Sequence, residues 1–199
     1  MVPIDFTGKV ALVTGVGDNL SFAWYIGKAL QHAGATVVLA VHPRMLNIVE
    51  NLLKTPHAED AEKRKLPDGR EFAPAKLFRC DVSYDTMGDV KLEEMPDAQK
   101  RHYAKLTDDY SISGMVEAVA KEFGGIDILI HSVAFSREIK NALIDTSRKA
   151  YHEAMGISAY SLVSLTRAAA PHMPAGGSVV GLTYIGGERV IPYYGGGMS

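Results

Sequence analysis

Val10-Ala-Leu-Val-Thr14, followed at once by Gly15-Val-Gly-Asp-Asn-Leu-Ser-Phe-Ala-Trp24, is the stretch that decides the fold. A short uncharged run that stops at a glycine reads as a strand buried on both faces, as a parallel sheet requires. Phe22, Trp24, Ile26 and Leu30, with alanines between them, then give a helix over residues 22–33, closed near Gly34. Strand, glycine turn and helix together open a βα unit.

The same alternation continues outward. Thr36-Val-Val-Leu-Ala-Val41 reads as a second buried strand, and residues 45–53 as a helix with Leu46, Val49, Leu52 and Leu53 on one face. Residues 54–110 break the rhythm with Pro56, Pro67, Pro74, Pro96 and most of the charge clusters. A stretch this long in a compact domain is an insertion that serves function or is disordered. Within it Ala75-Lys-Leu-Phe-Arg-Cys80 reads as a short strand ending at Asp81. Regularity resumes with a helix over 111–123, a strand over 126–130, a long helix over 147–171 and a fifth strand over 178–183. The expected fold is therefore α/β, a doubly wound, Rossmann-like parallel sheet in one domain over 1–199. Ligands of such sheets bind at the carboxyl ends of the strands.

Composition narrows the function classes. The chain has 199 residues, 47% of them hydrophobic and 22% charged, with a net charge of −2. That balance implies a soluble domain without a general affinity for nucleic acid or anionic membranes. One cysteine, Cys80, rules out an internal disulfide and fits a reducing compartment. No apolar run approaches the roughly 18 residues of a membrane span. Residues 1–6 lack the pattern of a signal peptide.

Candidate site residues fall at the strand ends. Gly15-Val-Gly-Asp-Asn-Leu-Ser suits either a plain turn or a pyrophosphate cradle at a helix N-terminus. The second strand ends at His42-Pro43-Arg44 without the carboxylate that would pair with an NAD ribose, and Arg44 suits a 2′-phosphate or an exposed loop equally. Asp81 can accept a hydrogen bond from an adenine amine or cap its own loop. His131, in His131-Ser-Val-Ala134, reads as a satisfied buried histidine rather than a catalyst. Ser161 and Ser164 lack a partnered His or Asp, and no metal-ligand spacing stands out. Tyr184 and Tyr194 remain, ten residues apart around the fifth strand's exit. A phenol, with an ordinary pKa of about 10, donates protons at neutral pH only beside a stabilising cation or hydroxyl. Two packed aromatic core residues are the alternative, and spacing alone does not separate Tyr194 from Tyr193.

At these residues the chain resembles a known family. The glycine turn, Asp127-Ile-Leu-Ile-His-Ser-Val-Ala134, Asp145-Thr-Ser-Arg-Lys-Ala-Tyr151 and Leu182-Thr-Tyr184 … Glu188-Arg-Val-Ile-Pro-Tyr-Tyr-Gly-Gly-Gly-Met-Ser199 look like the enoyl-acyl carrier protein reductases, divergent short-chain dehydrogenase/reductases. The closing motif and the insertion at 54–110 look most like the plastid, apicomplexan and chlamydial form. His42-Pro43 stands where that form commonly has Trp-Pro, and Ser132-Val-Ala-Phe135 is closer to the bacterial wording.

The resemblance implies reduction of trans-2-enoyl-acyl carrier protein thioesters with NADH, NADPH not being excluded, in type II fatty acid synthesis. It implies Tyr194 as proton donor, Tyr184 beside the reacting double bond, and cofactor contacts at Gly15, Ser21, Phe22, His42, Asp81, Val82 and Val133. Ser136 falls on a substrate-loop contact. Acyl carrier protein is the implied partner, a homotetramer the implied full-length assembly, and bacterial cytoplasm or plastid stroma the implied compartment. The family's lysine is expected eight residues past Tyr194, a position beyond Ser199, so the domain is expected to be incomplete at its C-terminus, without the helix that carries that lysine, the last sheet strands and the substrate-binding helices. Weak cofactor binding, little turnover, an exposed apolar surface and poor stability are expected in consequence. Two other readings are a short-chain carbonyl reductase and a catalytically dead dinucleotide-binding or scaffold protein.

Overall fold

Residues that alternate along a strand leave it on opposite faces, so an uninterrupted apolar strand needs cover on both sides. The computed structural model describes residues 4–54 and 57–198 and supplies that cover. Its first half runs β1 (Val10–Thr14), α1 (Phe22–His32), β2 (Thr36–Val41), α2 (Leu46–Lys54), α3 (Ala58–Arg64) and β3 (Lys76–Arg79). Its second half runs α4 (Asp97–Lys100), α5 (Ile112–Phe123), β4 (Ile128–His131), α6 (Arg148–Met155), α7 (Ser161–Ala169) and β5 (Ser178–Gly181).

The five strands form one sheet in the order β3-β2-β1-β4-β5, and every pairing is parallel. Leu12 is the centre of the register, opposite Val38 on one side and Leu129 on the other. The chain winds outward from β1 through β2 to β3, then returns to β4 on the other side. The order therefore reverses between β1 and β4, where helices diverge and a crevice opens at the carboxyl ends. This is the expected doubly wound sheet.

Two hydrophobic layers enclose it. Ala11 and Val13 face Ala23, Trp24 and Leu30 of α1 and Leu46 and Val49 of α2. Leu12 and Leu129 face Ile112, Met115, Val116 and Val119 of α5 and Leu165 and Ala169 of α7. Each fully buried Val, Leu, Ile or Met contributes roughly 1.5–3 kcal/mol relative to exposure. Trp24, in the first turn of α1, is fully buried, whereas its neighbour Phe22 is 77% exposed.

The stretch expected to break the rhythm contains ordered elements. Leu66 and Phe72 are buried in the α1 layer. The Phe72 ring meets Trp24 edge-on, with centroids 5.0 Å apart and planes at 78°. Trp24 Nε1–H donates to the Lys63 carbonyl at 3.2 Å, so α3 and the segment after it act as a cover for α1. Pro56 lies outside the described residues.

Two expectations need correction. The helix expected over 147–171 is interrupted by a π-helical turn at Gly156–Tyr160 and ends in a 3-10 turn at Ala170–His172. Ser161 Oγ donates back to the Ile157 carbonyl at 2.6 Å, and such back-bonding accompanies local widening. The fifth strand is shorter than expected and open: all four residues of β5 are exposed, Val180 to 47%. It lies at the sheet edge, and Leu182, directly after it, is exposed as well.

Candidate cofactor and active site

The crevice at the carboxyl ends of β1, β2, β3 and β4 is a cavity of about 820 Å3. Cavities of roughly 300–1,000 Å3 hold small molecules and cofactors. β1 delivers Thr14, Gly15 and Gly17 to its wall, β2 delivers His42 and Arg44, and β3 delivers Asp81 and Val82. β4 leads into Val133, Ala134 and Phe135, and the π-helical turn contributes Gly156, Ile157 and Tyr160.

Hydrogen bonds fix the floor. Thr14 Oγ1 donates to the Ile130 carbonyl at 3.0 Å and accepts the Ser132 N–H at 3.4 Å, tying β1 to β4 where they part. Gly15 has φ +83°, and a Cβ there would collide with the Ser132 carbonyl oxygen. That glycine is therefore required by the approach of two protein backbones. Gly17 is different: a Cβ there would have only Met45 Cε, 3.7 Å away, among its near neighbours. Asn19, buried in the same turn, donates from Nδ2 to Asp60 Oδ1 at 2.6 Å, so α3 anchors the glycine turn.

The β2–β3 wall carries the strongest electrostatics. Asp81 is 5% exposed, with Oδ1 accepting the Ser83 N–H at 3.0 Å and Oδ2 accepting the Tyr103 hydroxyl at 2.7 Å. Burial opposes its ionisation, but the adjacent His42 imidazole, with the Ser83 and Tyr103 donors, brings its pKa down to about 2. His42 Nε2 lies 3.5 Å from Asp81 Oδ2. Burial and the Asp81 charge push the Tyr103 phenol strongly upward, so it stays a donor. Burial likewise raises the Cys80 thiol, which leaves it unreactive.

His131 is buried, and burial lowers its pKa. The Ser161 hydroxyl is already spent on Ile157, so His131 Nε2–H is the donor in their 2.7 Å contact. It is a satisfied core histidine, as its sequence position suggested, and it braces the π-helical turn.

The closing motif docks against the mouth of the cavity. Gly195 N–H donates to the Ile139 carbonyl at 2.9 Å, and Ser136 Oγ donates to the Gly196 carbonyl at 2.8 Å. A Cβ on Gly195 would strike the Asn141 carbonyl, and one on Gly196 the Glu138 carbonyl. The glycine run thus permits close packing on the 136–142 loop. Ser158 Oγ accepts the Phe135 N–H at 2.9 Å, and its one proton lies between the Phe135 carbonyl at 3.1 Å and Met198 Sδ at 3.6 Å, which brings the motif against a cavity-lining residue. Tyr184 and Tyr194 come together with ring centroids 4.9 Å apart and planes at 63°. Tyr193 is 95% exposed, with φ +66°, and stands apart from the pair.

Gly15, His42, Asp81, Val82 and Val133 therefore share the cavity wall, while Ser21, Phe22, Ser136 and the two tyrosines are not among its lining residues. Ser21 instead caps α1, its Oγ accepting the Trp24 N–H at 3.4 Å. Phe22 projects from the first turn of α1 into solvent. Among the described residues no group of three or more His, Cys, Asp or Glu side chains could hold a metal ion.

The model of the family described as enoyl-(acyl carrier protein) reductase matches residues 75–199. The chain belongs to this family. Enoyl-acyl carrier protein reductase (NADH) 2, chloroplastic, of Oryza sativa subsp. japonica is 42% identical over 200 residues, covering 100% of this chain and 52% of that protein. The Plasmodium berghei enoyl-acyl carrier protein reductase solved with triclosan superposes with a TM-score of 0.84 at 32% identity, covering 96% of this chain and 64% of that one. The Anaplasma phagocytophilum enoyl-acyl carrier protein reductase solved with NAD gives a TM-score of 0.68 at 29% identity, covering 96% and 58%. The chain spans about half the length of the curated plant reductases it matches.

Membership in the reductase family puts a dinucleotide in question, and the wall fits one. The cavity is large enough, Gly17 leaves backbone accessible at the β1 turn, and a buried carboxylate beside an imidazole marks the β2–β3 end. Reading the sequence missed Tyr103, Asn19 and the π-helical turn.

Proposed function

We infer that this chain carries the nucleotide-binding part of an enoyl-acyl carrier protein reductase and the tyrosines of its proton-donating site. The observation that carries the reading is the cavity at the β1–β4 crevice, with the closing motif tied to its mouth through Ser158. Family membership supports the substrate class, a trans-2-enoyl thioester borne by acyl carrier protein. The names of the plant relatives support NADH over NADPH. A homotetramer, and a bacterial cytoplasm or plastid stroma, belong to the same reading; among the described residues no helix is long and apolar enough to cross a membrane.

Gly17 and Val133 would let the dinucleotide lie close to the backbone, while His42, Asp81 and Val82 bound its adenosine end. When bound, NADH supplies a hydride to the β-carbon of the enoyl thioester. Tyr194 would give its phenolic proton to the thioester oxygen as negative charge develops there, the enol so formed would pass that proton to the α-carbon on tautomerising, and water would reprotonate the phenolate. Tyr184, in edge contact with Tyr194, keeps that ring oriented. Ser136, bonded to Gly196, holds the loop on which the closing motif rests, and Ser21 and Phe22 act at the cavity only through the start of α1.

The test is calorimetric titration with NADH and NADPH, combined with NADH consumption on a crotonyl thioester and on a simple ketone. NADH binding, with any turnover confined to the thioester, is the expected result. Turnover of the ketone alone, or no binding of either dinucleotide, overturns the reading.

A further inference from the structure

His42 ends β2 on the cavity with both ring nitrogens already engaged inside the protein. Nδ1 accepts the Arg44 N–H at 3.1 Å, so the neutral ring carries its proton on Nε2. Nε2 lies 3.1 Å from the Tyr103 hydroxyl oxygen, and that hydroxyl donates to Asp81 Oδ2 at 2.7 Å. The result is a directed relay: Arg44 N–H to His42, His42 Nε2–H to Tyr103, Tyr103 O–H to Asp81. Imidazole and phenol stand nearly perpendicular, at 86°, with centroids 6.1 Å apart. The Tyr103 ring is itself wedged against Tyr110, at 5.2 Å, and is 5% exposed.

An imidazole held in this way has no in-plane donor or acceptor left for a ligand. What it can present is its face, and its side chain is 38% exposed where it lines the cavity. A face without edges selects a flat, π-bonded group, and the purine of an adenine nucleotide is one. Without the hydroxyl of Tyr103, Nε2–H has Asp81 Oδ2, 3.5 Å away, as its nearest partner, and the ring must turn to reach it.

We propose that Tyr103, brought to the cavity by the 54–110 insertion, is a positioning residue that fixes the His42 ring as a stacking platform for the adenine of the dinucleotide. This rests on the cofactor reading above. It gives the insertion a part in nucleotide recognition without direct contact between Tyr103 and the base.

The experiment is calorimetric titration of the chain with three probes: NADH, ADP-ribose, which carries the adenosine half, and reduced nicotinamide mononucleotide, which lacks it. In Tyr103→Phe the ring and its packing persist, and the affinities for NADH and ADP-ribose are expected to fall about tenfold, the scale of a partly lost base–aromatic stack. The mononucleotide affinity is expected to stay within about twofold, as nothing at its end has changed. His42→Ala should show the same selective loss, and adding Tyr103→Phe to it should cost no more, because the platform is already gone.

Equal losses for all three probes, unchanged ADP-ribose affinity in Tyr103→Phe, or additive losses in the double variant would each overturn the role of Tyr103 while leaving the cofactor reading in place. Failure of the unmodified chain to bind both NADH and ADP-ribose would overturn both. Should Tyr103→Phe not fold, the His42→Ala titration decides: ADP-ribose affinity unchanged there removes the platform itself.

Discussion

Tyr184 and Tyr194 face each other edge to face, 4.9 Å between centroids, although ten residues and a 3-10 turn at Ile185–Gly187 separate them. Each ring therefore helps to place the other. Tyr194→Phe keeps the ring contact and removes only the hydroxyl, so stability should change by less than about 0.5 kcal/mol. Loss of a donor at a developing oxyanion should lower the rate of crotonyl thioester reduction roughly 100- to 1,000-fold. Tyr184→Leu should instead lose the aromatic contact, about 0.5–1.5 kcal/mol by urea denaturation. A Tyr194→Phe rate within twofold of the unmodified protein's would remove Tyr194 from the chemistry.

Gly15→Ala should be among the most damaging single-methyl changes in the chain. Its φ of +83° disfavours a side chain, and the new Cβ meets the Ser132 carbonyl oxygen at the β1–β4 junction. Left-handed backbone and overpacking together predict a loss of about 2–4 kcal/mol, read from a urea midpoint. Gly17→Ala, with only a methionine tip nearby, should cost less than about 1 kcal/mol.

Acid should weaken the fold partly through Asp81. Its folded pKa, about 2, lies below the ordinary 3.8, so its stabilisation is complete above the ordinary value and disappears as pH falls through the folded one. The amount is on the order of 2 kcal/mol. Stability measured from pH 5 down to about pH 2 should fall less steeply in Asp81→Asn than in the unmodified chain. Parallel curves would show that Asp81 has no part in the acid limb.

Phe72→Ala tests whether the insertion belongs to the core. Removing a buried phenylalanine costs about 3–5 kcal/mol. Trp24 is the only tryptophan and packs on Phe72, so the variant's native-state fluorescence should also shift to longer wavelength. An insertion that merely lay on the surface would leave both readings unchanged.

The strands were legible because their burial is periodic and local. Val10–Thr14 and Thr36–Val41 need no distant partner to declare themselves, and both occur with the expected bounds. Asp81 and His42 were legible as strand-end residues, which the sheet topology then sends to one cavity. Tyr103 was not, because its partners lie 22 and 61 residues away and its meaning is created only by the fold. Phe22 is a different case. Only the family resemblance implies a cofactor contact there, and helix geometry, which turns Trp24 inward and Phe22 out, decides what that ring can reach. Ser161 shows a third limit, since a helical sequence pattern gives no sign that one hydroxyl will hold a wider turn.

Among the described residues β5 is exposed along its whole length and pairs with β4 alone. Its outer flank carries peptide groups with the spacing that β4 uses, and an uncovered edge of that kind is a template for pairing with another copy. Encounter between copies is second order in protein, whereas folding of one copy is first order. Dilution, more than temperature or denaturant, should therefore govern how much monomer is recovered on refolding.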